Sequence, residues 1–256
     1  NCFPEGVDAA AAAKPFSDDS LWQYEVGLKT TALDRRLALS AAVYEIKWKN
    51  IQQFVYLACG LGFNYNLGEV TAQGAELELN WKANDNLTLG MNAAYTSAKF
   101  ETAVIPFSQV PTYQLVAPGN HLPASPWNLQ FTGEYVWRDR ARKPYVRVDY
   151  QYSAQQTTLV PYQDPANIPN ADPTLPGLPQ INMLNLRAGV RFSGYDLSVF
   201  VANATNFHTP MFVSRDFNAT NYGLANFNDN YFARGMAPRT IGASTVNLVS
   251  AGRRRT

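Results

Sequence analysis

Long apolar runs are missing from this 256-residue chain. No segment approaches the ~18 consecutive apolar residues of a membrane-spanning helix, which excludes a helical membrane protein. Charge is scarce, at 16% Asp, Glu, Lys and Arg, and nearly balanced, at a formal net +1. A nucleic-acid partner is therefore not expected, because such partners select a basic face. The basic cluster Arg253, Arg254 and Arg255 reads as a solvated tail. Cysteine is limited to Cys2 and Cys59, and neither lies in a C-x-x-C pair of the zinc-binding kind. Both fall in segments read as loops, where a disulfide in an oxidising compartment and two free thiols are the two readings. Histidine is limited to His121 and His208, again in loops. The patterns G-x-S-x-G, H-E-x-x-H and the P-loop do not occur. The chain therefore reads as no enzyme, with no cofactor. It opens Asn1-Cys2-Phe3-Pro4, in mid-loop and without an initiator methionine, which reads as a piece of something longer.

What the sequence has instead is alternation. From Ala72 to Phe100, the residues Ala75, Leu77, Leu79 and Trp81 alternate with Glu76, Glu78 and Asn80. After the polar turn Ala83-Asn84-Asp85-Asn86, a second run alternates Leu87, Leu89, Met91, Ala93 and Tyr95 with polar or small residues. Period two on both sides of a tight turn predicts a β-hairpin with one apolar face. The unit recurs. Strands are expected at about 20–31, 37–54, 127–137, 145–153, 184–192 and 195–204, with a last one beginning near Arg239. The second is the irregular one: Ala42, Tyr44, Ile46 and Trp48 read as its apolar face, but Leu37 and Leu39 have the other parity. A bulge near Ala41-Ala42 would reconcile them. Prolines avoid these runs and crowd two long loops, 101–126 and 154–180, as ladder hydrogen bonding requires. Connections near 34, 84, 140 and 194 are short, while those near 60, 110, 165 and 220 are long. In an up-and-down sheet, short turns then gather at one end and long loops at the other.

Nine charged residues inside five of these runs test the faces: Glu25, Lys29, Glu76, Glu78, Glu134, Arg147, Asp149, Arg187 and Arg191. All nine take the polar parity. A soluble β-sandwich alternates too. Three features favour a transmembrane barrel over it. The apolar faces end in aromatics (Trp22, Trp81, Tyr95, Trp127, Trp137, Tyr150, Tyr152 and Phe192), the strands are long, and the turn lengths alternate.

Tyr24-Glu25-Val26-Gly27-Leu28-Lys29 reads YE-x-G-x-K, and Tyr44-Glu45-Ile46-Lys47-Trp48 with Ile51-Gln52 reads aromatic-x-I-x-W-x-x-IQ; both are similar to strands of TonB-dependent outer-membrane receptors. Gly74-Ala75-Glu76-Leu77-Glu78 resembles G-x-E-x-E, and Gly119-Asn120-His121-Leu122-Pro123 with Pro126 resembles G-N-x-L-P-x-x-P. Asn185-Leu186-Arg187-Ala188-Gly189 and Pro238-Arg239-Thr240-Ile241-Gly242 look like the final strands. The resemblance implies an all-β, antiparallel up-and-down transmembrane β-barrel. Here it would hold about nine C-terminal strands of a 22-stranded barrel, without the plug domain. It divides the chain into an extracellular loop segment at 1–19, the C-terminal part of the barrel at 20–248, and a basic tail at 249–256. It departs from the family's pattern in lacking a terminal aromatic.

The resemblance further implies a bacterial outer-membrane receptor and transporter for a scarce nutrient, most commonly an iron–siderophore complex. Its partners would be outer-membrane lipid, the nutrient, and TonB through the missing N-terminal region. A plug-less porin-like channel is the alternative, and a soluble β-rich binding protein a third class. Glu76, Glu78, Glu134, Arg147, Asp149, Arg187 and Arg191 are expected to line the lumen as a charge network, with Arg147, Asp149, Arg187 and Arg191 linked across strands. Tyr113, Tyr162, Phe212, Tyr222 and Tyr231, in the outer loops, are the candidate ligand contacts.

Overall fold

The computed structural model describes residues 16–56, 62–103, 116–122, 124–156, 179–215 and 231–247. These form thirteen strands and, among the described residues, no helix. Nine of the strands make one antiparallel sheet: β1 (Ser20–Ala32), β2 (Leu37–Lys49), β5 (Glu69–Lys82), β6 (Leu87–Phe100), β7 (Trp127–Val136), β8 (Pro144–Ser153), β9 (Ile181–Phe192), β10 (Tyr195–Ala202) and β13 (Thr240–Asn247). Their spatial order follows the chain, so the sheet is an up-and-down meander. No ladder joins β1 to β13 among the described residues, and the sheet is open at both edges.

The expected hairpin is the centre of this meander. Glu69–Lys82 and Leu87–Phe100 pair without interruption from Val70↔Phe100 to Lys82↔Thr88. The Asn84 carboxamide closes the turn, its Oδ1 accepting from the amides of Asn86 and Leu87. At the tightest turn, Ser193 and Gly194 both have positive φ (47° and 78°). That is the type I′ signature, whose twist matches the strands it joins.

Two connections read as loops contain hairpins. β3 (Gln52–Tyr56) pairs with β4 (Gly62–Asn66), and β11 (Pro210–Arg215) with β12 (Tyr231–Gly235). The first prolongs the β2–β5 pair past a break at Asn50 and Gly68, both at positive φ. That break is the real irregularity of the second predicted strand. The bulge expected at Ala41-Ala42 is absent: β2 pairs in unbroken register with β1 and with β5.

Register also corrects the faces of β2. Val43 stands opposite Val26 and Ala75, and Leu39 opposite Leu79, so Leu37, Leu39, Ala41 and Val43 belong to the apolar face. Ala42, Tyr44, Ile46 and Trp48 belong to the other, beside Glu25, Glu76 and Gly74. The strand carries apolar side chains on both faces because it passes through two environments. Val43, Ala75 and Tyr95 form one cross-strand row, the last apolar one on that face of β2, β5 and β6. The next row is Glu45, Gln73 and Ser97; beyond it come Lys47, Thr71 and Lys99. Above this boundary the apolar side chains have changed sides. Val70, Ala98 and Phe100, on the formerly polar face, are buried, as are Ile51, Leu67 and Val116. The segment carrying Val116 is tied to β6 by the bonds Gly119 N–H to Phe100 C=O, Phe100 N–H to Asn120 C=O and Leu122 N–H to Ala98 C=O. Below the boundary the apolar face is bare: Val26 and Ile241 are each 75% exposed, and Val199 60%.

Candidate functional site: the polar face of the sheet

All nine charged residues singled out by parity share one face, as the ladders require. Lys29, Ser40 and Glu78 form one row with Asn92 and Gln130; Glu134, Arg147 and Arg187 form another. Among the described residues, two neighbouring hollows lie on this face. The larger, about 740 Å³, is lined by Glu76, Glu78, Asn92, Asn128, Gln130 and Gln151 among others. Its polar groups are amides, hydroxyls and the two glutamates, and Glu78 accepts from Asn80 Nδ2 at 3.1 Å. The smaller, about 400 Å³, is lined by Glu134, Tyr145, Arg147, Asp149, Arg187, Arg191 and Asp196.

In the smaller hollow Arg191 is the hub. Its Nη1 and Nη2 donate to the two Glu134 oxygens at 3.2 and 3.0 Å, and its Nε donates to Asp196 Oδ2 at 3.0 Å. The guanidinium lies 4.0 Å from the centre of the Tyr145 ring, and the Tyr145 hydroxyl donates to Asp196 Oδ1 at 2.9 Å. One side chain on β9 thus joins groups on β7, β8 and β10. Bidentate geometry with ionised partners makes these stronger than neutral hydrogen bonds. Arg147 behaves differently, pairing along its own strand with Asp149 at 2.7 Å. Arg187 pairs with no carboxylate among the described residues. It donates to Ser198 Oγ at 2.9 Å and stands 5.3 Å from the centre of the Phe200 ring. The four residues expected to link across strands therefore separate into an intrastrand pair, a hub and a solitary cation.

Asp196, Tyr145, Ser198 and Phe200 complete the cluster and were not singled out by sequence. Asp196 was open to detection, since it has the polar parity of β10, opposite Tyr195, Leu197 and Val199. Phe200 and Tyr145 were not, being large aromatics on a polar face. Both lie over glycines of the next strand in register. A Cβ on Gly189 would come within 2.8 Å of the Tyr145 ring, and one on Gly242 within 2.6 Å of Phe200. Tyr44 lies over Gly74 in the same way and reaches Thr96 Oγ1 with its hydroxyl at 2.8 Å.

On the apolar face, Tyr95 and Trp127 pack with ring centres 4.8 Å apart towards the long-loop end, and Tyr135 and Trp137 at 4.8 Å towards the short-turn end. Two aromatic levels bounding an apolar belt is the arrangement that amphipathic rings adopt at the two water–lipid boundaries. Of the candidate ligand contacts, Phe212 and Tyr231 fall on β11 and β12 and not in open loop, at the ladder positions Phe212↔Arg234 and Arg215↔Tyr231. Tyr113, Tyr162 and Tyr222, like Cys2 and Cys59, lie outside the described residues.

Residues 20–207 match the family model of the TonB-dependent receptor-like β-barrel. Solved structures agree in fold. The ferric yersiniabactin uptake receptor FyuA from Yersinia pestis superposes with a TM-score of 0.63 at 18% identity, over 91% of this chain and 30% of that one. The pyoverdine outer membrane receptor FpvA from Pseudomonas aeruginosa gives 0.64 at 14% identity, over 92% and 30%. The siderophore receptor PiuA from Acinetobacter baumannii gives 0.61 at 17% identity, over 89% and 28%. The chain thus spans about 30% of the length of the receptors it resembles. The family consists of transporters of the bacterial outer membrane and not of enzymes. The apolar face of the sheet is accordingly the lipid-facing one, and this chain belongs to the TonB-dependent receptor-like β-barrel family.

Proposed function

We propose that this chain is the C-terminal wall of an outer-membrane receptor that imports a scarce nutrient, driven by TonB, and that the cargo is an iron–siderophore complex. The observation that carries the reading is the two-faced wall of nine strands, one face apolar and the other polar, the first eight of which lie within the family match. The choice of cargo is supported by the receptors for ferric yersiniabactin and pyoverdine among its structural neighbours. In this reading the charge cluster faces a plug, and TonB is engaged through a region N-terminal to this chain. Ligand contacts come from Tyr113, Tyr162, Phe212, Tyr222 and Tyr231 in the outer loops. Residues 1–19 form an extracellular segment, 20–248 the barrel wall and 249–256 a basic tail. The first division is supported by Asn66 Nδ2 and Gln52 Nε2, which both donate to the Ser17 carbonyl, and by Trp48 Nε1, which donates to Asp19. These bonds hold 17–19 at the long-loop end.

The test is uptake of radiolabelled iron from chelates by iron-limited cells with and without the gene, in backgrounds with and without TonB. Uptake lost in either deletion is the expected result. Uptake that survives loss of TonB overturns the energised reading in favour of a channel. A transport defect for another nutrient, with iron unaffected, overturns the cargo.

A further inference from the structure

We propose that Arg187 is a preformed carboxylate-binding position on the lumenal wall. Three arginines line the smaller hollow, and their partners differ in kind. Arg191 has Glu134 and Asp196, and Arg147 has Asp149. Arg187 has a neutral hydroxyl and a ring face. A guanidinium carries five N–H donors. In Arg187 only Nη1 is engaged, which leaves the Nε–Nη2 edge without a partner among the described residues. That edge is the one that receives a planar carboxylate through two parallel hydrogen bonds.

The side chain is also held in place. Gly242 has no Cβ, so Phe200 lies across β13; Arg187 stands over Phe200, and Ser198 fixes one end of the fork. A flexible arginine loses rotamer freedom on binding, and one already fixed by a ring and a hydroxyl loses less. Arg187 is also directly opposite Arg147 in the ladder. Like charges so placed repel, and Arg147 alone of the two is neutralised. A carboxylate on the free edge of Arg187 would remove that repulsion. Two sources present this chemistry: an acidic side chain of the segment that fills the lumen in the parent protein, or a diffusible carboxylate solute passing along the wall. The inference rests on the lumenal assignment of this face and not on the nature of the cargo.

The experiment uses the full-length parent in lipid vesicles. Arginine modification by phenylglyoxal, which needs a free guanidinium edge, is followed residue by residue by mass spectrometry, with and without citrate. Exposed Arg36 on the first turn is the reference. Stability of Arg187→Gln against wild type is measured at neutral and acidic pH. If the protein supplies the carboxylate, Arg187 reacts about tenfold more slowly than Arg36 without citrate. Arg187→Gln then destabilises at neutral pH and recovers when the stranded carboxylate is protonated. If the carboxylate is diffusible, Arg187 reacts fast alone and about tenfold more slowly in citrate, with Arg36 unchanged. Fast reaction in both conditions overturns the proposal. So does slow reaction with a pH-independent Arg187→Gln effect, which marks steric shielding only. Neither outcome depends on transport, so this inference and the uptake reading fail separately.

Discussion

Between Leu37 and Val43, β2 sends its leucines and valine outward; from Tyr44 to Lys49 the same strand sends Tyr44, Ile46 and Trp48 to the opposite face. β5 and β6 change at the same row, between Ala75 and Gln73 and between Tyr95 and Ser97. Nothing in the backbone ladder changes there. What changes is the outside medium. In the lower region hydrocarbon lies outside, so the apolar side chains face out and the charges take the opposite face. In the upper region water lies outside, and Glu45–Lys47 and Lys49–Glu69 ion pairs decorate the outer face. The apolar side chains then have somewhere better to go: Phe100, Val70, Ile51 and Val116 close a small dry core on the inner side. Burial follows the location of water and not a fixed inside and outside. The row Val43–Ala75–Tyr95 therefore marks the long-loop edge of the apolar belt on β2, β5 and β6.

The two regions should break differently under substitution, measured as unfolding free energy of the full-length parent in vesicles. Phe100→Ala empties the upper core and is expected to cost about 3–5 kcal/mol, the range for a buried aromatic. A loss under 1 kcal/mol would mean that the core is not packed. Val199→Arg, placing charge in the belt, is expected to cost about 2–4 kcal/mol near mid-bilayer and less towards either aromatic level. Tryptophan sharpens the contrast. Val70→Trp overpacks a closed core and should cost about 1–3 kcal/mol. Val199→Trp meets fluid lipid and should cost almost nothing. Equal penalties for the two would erase the distinction between the regions. In the lower region, Arg191→Gln strands Glu134 and Asp196, whose side chains are 26% and 16% exposed. Its expected cost is about 1–2 kcal/mol, between the limits for surface and buried pairs.

The smallest effect belongs to the upper region and to pH. Desolvation, with Lys99 beside it, holds the His121 imidazolium below its usual pKa. A lowered histidine pKa means that the folded form binds protons less readily than the unfolded form. Docking of residues 116–122 on β6 is then at full strength above the ordinary histidine range and weakens as pH falls through it. The protection of the Phe100, Gly119 and Leu122 amides against hydrogen exchange, taken relative to the intrinsic rate at each pH, should fall on acidification in wild type and not in His121→Gln. An unchanged pH profile in the variant would remove His121 as the cause.

The strands of the lower region were legible because each meets one environment on each face, so period two survives from Leu87 to Tyr95 and from Trp127 to Tyr135. β2 was misread because its two halves obey opposite polarity rules, which looks in sequence like a slip of register. The return strand β4 and the β11–β12 hairpin were missed for a related reason, although the second expected strand does include Gln52–Phe54: beyond the apolar belt no fixed apolar face imposes alternation on Gly62–Asn66 or Pro210–Arg215. For the charge cluster, parity located the residues but not the partners. Arg191 reaches past β8 to Glu134, and no rule of nearest neighbours in sequence contains that reach. Arg187 shows the converse, since proximity to Asp149 in strand order gave it no ion pair.

The three aromatics laid over glycines have a consequence for bore. A ring that stood upright on the polar face would project radially into the lumen. Tyr44, Tyr145 and Phe200 instead lie tangentially, each occupying the ground left vacant by Gly74, Gly189 or Gly242 on the next strand. The wall gains aromatic contact area without narrowing the passage. At Gly74 and Gly189 an alanine would also meet a strand carbonyl at 2.6 Å, but at Gly242 it would meet the Phe200 ring alone and push it inward, and the first property to change there would be the clearance left for whatever fills or crosses the barrel.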